Sequence, residues 1–294
     1  MGNNRPMTSI EDQIEQLEAE AIVSHAACGE GTMPFRTWQP WGDQMGGELV
    51  VLLHGGSGAW NHWIRNIPTL SSYYELVVPD LPGLGDAANV ARGTDPHGVA
   101  TIVADGLRAI LGPRRFHLVA FSWGAAVASL VAANLGDRVK SIVLVGPASL
   151  GKLPEPRRMR LLSKSSSMSA EEISAVNQEN LARLMIFDRQ KVDPLAVRLH
   201  DINTAKARYN SPKYAEGEYV LTGLEQTSAS LLVLYGREDA VAVPNLAEKE
   251  KRIKAVRADA QFEVRDGAGH WLQYEQSEWF NLRLVQWIEA NTFA

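Results

Sequence analysis

Ser122 is the residue whose setting most suggests chemistry. It stands in His117-Leu118-Val119-Ala120-Phe121-Ser122-Trp123-Gly124-Ala125-Ala126, where an apolar run passes into an Ala/Val-rich helical pattern. Small residues lie two positions before and two after it. A tight strand-to-helix turn brings two backbones together, excludes bulky flanks and leaves the hydroxyl exposed above the sheet. Serine at a helix start also serves as a simple N-cap, so chemistry requires partners. A hydroxyl near neutral pH is a weak nucleophile and needs a base. His270, in Asp266-Gly267-Ala268-Gly269-His270-Trp271, follows the last apolar strand on a glycine-rich turn that frees it to reach over the sheet edge. The other histidines have blander settings. His54 opens a glycine turn and reads as a structural hydrogen-bonding group, and His62 could approach the site but sits at a helix start. His25, His97, His117 and His200 carry no accompanying chemistry. The base needs an anion to hold its tautomer and stabilise its charged form. Asp239, in Gly236-Arg237-Glu238-Asp239-Ala240, suits that role, with Glu238 its close competitor. A developing oxyanion needs two backbone donors. The N–H of Trp123 is one. Gly56 in Gly55-Gly56-Ser57-Gly58 is the other, with Ser57 behind it, because glycines let the backbone approach a substrate oxygen. That loop lacks the lysine of a phosphate cradle, and no GxGxxG is present.

These groups must be carried by elements that periodicity reveals. Leu49–Leu53, Glu75–Pro79, Phe116–Phe121, Val139–Val145, Leu231–Tyr235 and Phe262–Val264 read as strands, Leu49–Leu53 as one buried on both faces. Helices fit 98–111, Trp123 to about Leu135, 244–257 and 276–290. Strands alternating with helices imply a mostly parallel sheet covered on both faces, an α/β fold. Residues 33–39 suggest an early antiparallel strand. Residues 8–28 pattern as an amphipathic helix through Ile10, Ile14, Leu17 and Ala21, capped by Thr8 or Ser9. Residues 151–225 hold no strong strand and are helically patterned. The expected organisation is therefore an N-terminal helical extension over 1–32, a core over 33–150 and 226–294, and a helical cap over 151–225 that serves as a lid.

Composition narrows the function. The 294 residues carry a net charge of -5, with 45% hydrophobic and 21% charged residues, which fits a globular chain and offers no basic footprint for nucleic acid. The single cysteine, Cys28, rules out a disulfide framework or a cysteine-based zinc cluster. The first 25 residues are acidic and lack a signal peptide's apolar core, and Pro6 stands where a myristoylation motif wants Ser or Thr. No apolar run approaches the roughly 18 residues that span a bilayer. The expectation is a cytoplasmic protein acting on a small molecule without cofactor, metal, nucleic-acid or membrane partner, with a homodimer left open.

The segments HGGSG (54–58), DLPGLG (80–85), AFSWG (120–124), GREDAV (236–241) and GAGHW (267–271) together resemble the α/β-hydrolase superfamily over about residues 33–290. The resemblance implies the α/β-hydrolase fold, a helical cap, and a catalytic triad in the chain order Ser122, Asp239, His270. A narrower stretch, His270-Trp271-Leu272-Gln273-Tyr274-Glu275, is similar to the GHWxQxE of the meta-cleavage product hydrolases, which break a carbon–carbon bond in dienoates. That similarity implies that Trp271 lines the pocket and that a cap arginine, Arg198 or alternatively Arg208, binds a substrate carboxylate. Phe121 stands at the pocket where that family usually has Asn, and it cannot hydrogen-bond a dienol. Three functions follow: a serine hydrolase of a carboxylic ester or a dienoate-type ketone; a ligand-binding receptor on the same fold; or a lyase or cofactor-free oxygenase.

Overall fold

The computed structural model describes residues 9–40, 47–154 and 160–292. Among these, eight strands form one sheet: β1 (Ile22–Cys28), β2 (Gly31–Trp38), β3 (Leu49–Leu53), β4 (Glu75–Pro79), β5 (Phe116–Phe121), β6 (Val139–Val145), β7 (Ser230–Gly236) and β8 (Gln261–Arg265). Their order is β1-β2-β4-β3-β5-β6-β7-β8. The β1–β2 hairpin and its junction with β4 are antiparallel. From β4 to β8 every pairing is parallel. This is the α/β-hydrolase fold, as the sequence predicted.

The apolar runs explain the layering. Every residue of β3 and β5 is buried, because parallel strands joined by crossover helices are covered on both faces. Side chains alternate between two cores. Val51, Leu53, Leu118 and Ala120 pack with the helices Pro96–Leu111 and Trp123–Leu135. Val50, Leu52, Val119 and Phe121 pack on the opposite face with Trp63, Leu284 and Ile288, the last two from the helix Ser277–Ala290. The helix Trp123–Leu135 is buried over most of its length, so its Ala/Val composition reflects close approach to the sheet.

One expectation is corrected. The amphipathic pattern over 8–28 is two elements. The helix runs Ile10–Ala19, capped by Ser9, whose Oγ accepts from the Asp12 N–H at 3.0 Å; Thr8 lies outside the described residues. Ile22–Cys28 is strand β1, paired with β2 from Ile22↔Thr37 to Cys28↔Gly31. The helical stripe ends at Leu17. Beyond it, Ala26 and Cys28 alternate inward, and Gly29 takes the left-handed turn (φ 55°) that a hairpin needs. The N-terminal region thus adds a hairpin to the sheet.

Between β6 and β7 lie the cap helices Ala170–Leu184, Pro194–Lys206 and Tyr219–Leu224. The first is held by a full capping box, Ser169 with Glu172, and the second by Asp193 over a proline at its first turn. No helix among the described residues is long and apolar enough to cross a membrane.

Two outcomes follow. A Cβ on Gly124 would stand 2.4 Å from the His54 carbonyl oxygen and 2.9 Å from that of Leu53. Gly124→Ala should therefore cost about 3 kcal/mol or prevent folded protein from accumulating, as read by urea unfolding. His117 on β5 meets Ser141 Oγ at 2.8 Å and Glu48 at 3.1 Å, and burial lowers its pKa from 6.5 to about 4. The unfolded chain then takes up this proton before the folded one, so the contribution is complete above about pH 6.5 and declines toward pH 4. The urea midpoint should fall across that window, and His117→Gln should flatten part of the slope; equal slopes in both proteins would refute the assignment.

Candidate active site

Four loops at the carboxyl ends of parallel strands converge on one rim, where ligands bind in sheets of this kind. The β5 loop carries Ser122. Its backbone has φ 53° and ψ -113°, a conformation non-glycine residues rarely adopt. Packing imposes it. The Ser122 N–H donates to Val145 O at 2.8 Å. Gly55 lies so close that a Cβ there would stand 3.3 Å from Ser122 Cβ and 2.9 Å from the Phe121 ring. Gly124 lets the following helix approach the end of β3.

The β7 loop carries Asp239 and the β8 loop carries His270. His270 Nδ1 lies 2.8 Å from Asp239 Oδ2, and His270 Nε2 lies 2.8 Å from Ser122 Oγ. The carboxylate can only accept from the imidazole, so Nδ1 carries the proton and Nε2 presents a lone pair to the Ser122 hydroxyl. Asp239 Oδ1 accepts from the Val241 N–H at 2.7 Å. Asp239 is fully buried and His270 nearly so. Gly146, at φ 52°, explains how the pair fits: a Cβ there would lie 3.0 Å from His270 Nδ1 and 3.2 Å from Asp239 Oδ2. Glu238, the competitor, is occupied otherwise, accepting from the Ala268 N–H at 3.1 Å.

The β3 loop brings Gly56 beside Trp123. A Cβ on Gly56 would be 3.5 Å from Trp123 Cβ and 2.3 Å from Ser211 Oγ. Trp123 is the first residue of its helix, so its N–H has no intrahelical acceptor. Ser57 has a left-handed backbone (φ 50°). Gly56, Ser57, Phe121, Ser122, Trp123 and His270 all line one cavity of about 350 Å³ under the cap.

Three expected substrate contacts lie elsewhere. Arg198 is half exposed and pairs with Glu11 of the N-terminal helix at 2.9 Å. Arg208 donates to Asn89 Oδ1 at 2.7 Å and to the carbonyls of Gly85, Ala87 and Lys206. Arg198 thus joins two helices and Arg208 satisfies a surface loop, places where a long solvated side chain meets acceptors at little desolvation cost. Trp271 is buried one layer down, stacked on Tyr274 at 4.3 Å and donating to the His62 carbonyl at 3.0 Å. His62 forms the wall in its place.

Both His62, which the sequence offered as able to approach the site, and His200, which sequence reasoning missed, line the cavity. Burial, then the nearby imidazoles of His54, His200 and His270, push the His62 pKa well below its ordinary value. Burial lowers that of His200 to about 4. The only available signal for His62 was its place four residues after the Gly58 turn; His200 had none. Glu275 was also undervalued. Its carboxylate accepts from the N–H groups of Gly269 (2.7 Å), Asp188 (2.7 Å) and Phe187 (3.2 Å), so it ties the His270 loop to the cap. Burial raises its pKa. Among the described residues no group of three or more His, Cys, Asp or Glu could hold a metal ion.

Known proteins share this framework. A family model described as "Alpha/beta hydrolase family" matches residues 50–283. The 2-hydroxy-6-oxo-6-phenylhexa-2,4-dienoate hydrolase of Burkholderia cepacia is 27% identical over 253 residues, covering 80% of this chain and 85% of that one. Among solved structures, an esterase from a Rhodococcus species superposes with a TM-score of 0.73 at 20% identity, covering 92% of this chain and 99% of the other. The naproxen esterase of Bacillus subtilis gives 0.72 at 18% identity, covering 95% and 96%. With its sheet order, its cap and a match spanning most of its length, the chain belongs to the alpha/beta hydrolase family and is a hydrolytic enzyme of that family.

Proposed function

We propose that this enzyme hydrolyses small carboxylic esters through an acyl-enzyme, with Ser122 as nucleophile, His270 as general base and acid, and Asp239 as the anion that orients and stabilises the imidazole. The observation that carries the reading is the unbroken hydrogen-bond chain Asp239–His270–Ser122, with 2.8 Å at each link, opening into the cavity.

His270 Nε2 takes the hydroxyl proton as Ser122 Oγ bonds to the ester carbonyl carbon. The negative charge moves to the carbonyl oxygen, which the Gly56 and Trp123 N–H groups hold. These donors are fixed by backbone and helix start, so they need no reorganisation when the charge develops. The tetrahedral adduct collapses, the carbon–oxygen bond to the alcohol breaks, and His270 delivers its proton to the leaving oxygen. Water then adds to the acyl-enzyme with His270 again as base. Collapse releases the carboxylic acid and returns the proton to Ser122. The cap over 151–225 acts as the lid that sets which acyl and alcohol groups fit.

A second reading, cleavage of the carbon–carbon bond of a dienoate-type ketone, is favoured by the Burkholderia cepacia relative, which is named for that activity and matches most of this chain. The ester reading ranks first because Arg198 and Arg208, the two candidate carboxylate binders, are paired away from the cavity. The Lys164 ammonium, exposed at the rim and donating to Thr204 Oγ1 at 3.3 Å, is the cation among the described lining residues.

Short p-nitrophenyl esters and a ring-cleavage dienoate, assayed side by side, separate these readings. Ser122→Ala should lower kcat on the accepted substrate by on the order of 10⁵-fold. Asp239→Asn should lower it by about 10⁴-fold while leaving KM near its starting value, because the neutral amide favours the wrong imidazole tautomer. Turnover that survives Ser122→Ala would end the assignment, and stoichiometric binding without any turnover would favour a receptor. Arg198→Ala should keep kcat/KM within about twofold on every ester; a loss of 100-fold or more confined to the dienoate would revive the carboxylate-binding role.

A further inference from the structure

His62 borders the reacting groups, yet ester hydrolysis leaves it unemployed. Its ring is clamped on several sides. It lies over Gly58, where a Cβ would come 2.1 Å from His62 Cε1. It meets the Phe121 ring at 5.6 Å and the Trp271 ring at 5.0 Å. Trp271 holds its carbonyl through the indole N–H. The Gly55 N–H donates to His62 Nδ1 at 3.3 Å. That bond needs a lone pair on Nδ1, so the neutral ring carries its proton on Nε2. Nε2 has no protein acceptor among the described residues. Immobilised, with its tautomer set by the backbone, the imidazole offers one N–H donor at the cavity it shares with Ser122 and His270.

His200, on the cap helix Pro194–Lys206, lines the same cavity, and its ring nitrogens have no protein partner among the described residues. Burial, reinforced by nearby imidazoles at His62 and by the Lys164 ammonium at His200, keeps both rings uncharged in neutral solution. A neutral N–H can satisfy an ether, hydroxyl or carbonyl oxygen. It offers no net charge to offset the desolvation of a carboxylate, which is the costlier group to bury.

We propose that His62, seconded by His200, is a specificity-determining hydrogen-bond donor that selects an uncharged substrate bearing an oxygen acceptor in its non-reacting part. The inference rests on the ester-hydrolase reading for the reaction and on the cavity itself for recognition.

The test uses esters matched in shape, in which one methylene is replaced by an ether oxygen in the acyl chain or in the alcohol, each rate divided by that ester's alkaline hydrolysis rate. A third ester of each set ends in a carboxylate. In at least one set the wild-type enzyme should prefer the ether by about tenfold in kcat/KM, the fold-change of one good hydrogen bond, and should discriminate against the carboxylate. His62→Leu should abolish the ether preference, read as the ratio of ether to alkyl ester within the same variant so that a loss of rate common to both cancels. His62→Gln, which retains a donor, should restore part of it, and His200→Leu should weaken it. Calorimetric binding of the same esters to Ser122→Ala protein is measured alongside. If the wild type hydrolyses none of the esters, the ester reading fails, and an ether preference in binding that disappears in the Ser122→Ala/His62→Leu double variant still upholds the recognition role. A wild type without ether preference in both turnover and binding overturns the proposal. So does a preference that persists in both His62→Leu and His200→Leu. If His62→Leu does not fold, the His62→Gln and His200→Leu ratios decide by the same criterion.

Discussion

The close approach of the helix Trp123–Leu135 to the end of β3 is the constraint on which the site depends. Backbone meets backbone there, with room at Gly124 for hydrogen alone. This contact forces the chain to turn within one residue as it leaves β5, and Ser122 is that residue. Its left-handed backbone costs about 1–3 kcal/mol in isolation, a cost offset by a helix and a strand that are buried almost throughout. The same turn lifts the hydroxyl clear of the sheet and aims the first N–H of the helix at the space beside it. Positive φ, exposed hydroxyl and free amide are thus three results of one packing event.

The rest of the rim is built around that fixed point. Gly55 and Gly56 bring the β3 loop against Phe121, Ser122 and Trp123, and Gly146 makes room for the His270–Asp239 pair. Glu275 binds the backbone on both sides of the cleft, the Gly269 N–H next to His270 and the Phe187 and Asp188 N–H groups of the cap. The Trp271 N–H adds a bond to Met185 O at 2.7 Å. The loop that carries the imidazole and the segment that roofs the cavity are therefore one hydrogen-bonded unit.

The cavity's electrostatics are set by burial. His54, His62 and His200 all have lowered pKa values, with desolvation the leading cause. His54 serves structure, accepting the Leu81 N–H at 2.8 Å, as its place before a glycine turn suggested. The charges of Arg36, Asp80 and Asp86 are gathered into a separate network beneath the β3 loop. The space above Ser122 is lined mainly by apolar groups, with the neutral imidazoles of His62 and His200 in its wall and the Lys164 ammonium at its rim, which distinguishes it from a pocket built around a guanidinium for a carboxylate.

Much of this was legible in the residues because it rests on local rules. Continuous apolar runs marked the parallel strands from β3 to β7, since burial on both faces removes the alternation that the half-buried edge strand β8 shows. Small residues flanking Ser122 and the glycine turns before His270 and after His54 marked where chain segments crowd. The split of residues 8–28 into helix and strand escaped, because Ile22 and Val23 extend an apolar pattern whose change of period only pairing with β2 reveals. The destinations of Arg198 and Arg208 escaped as well: a long flexible side chain is committed by whichever acceptor the fold places within reach. Which strand ends carry a serine, an aspartate and a histidine was determined by the sequence alone. That their atoms stand 2.8 Å apart, and that two imidazoles rather than an arginine face the space they share, was decided by tertiary packing, because only the folded sheet brings residues 31 and 148 positions apart into contact.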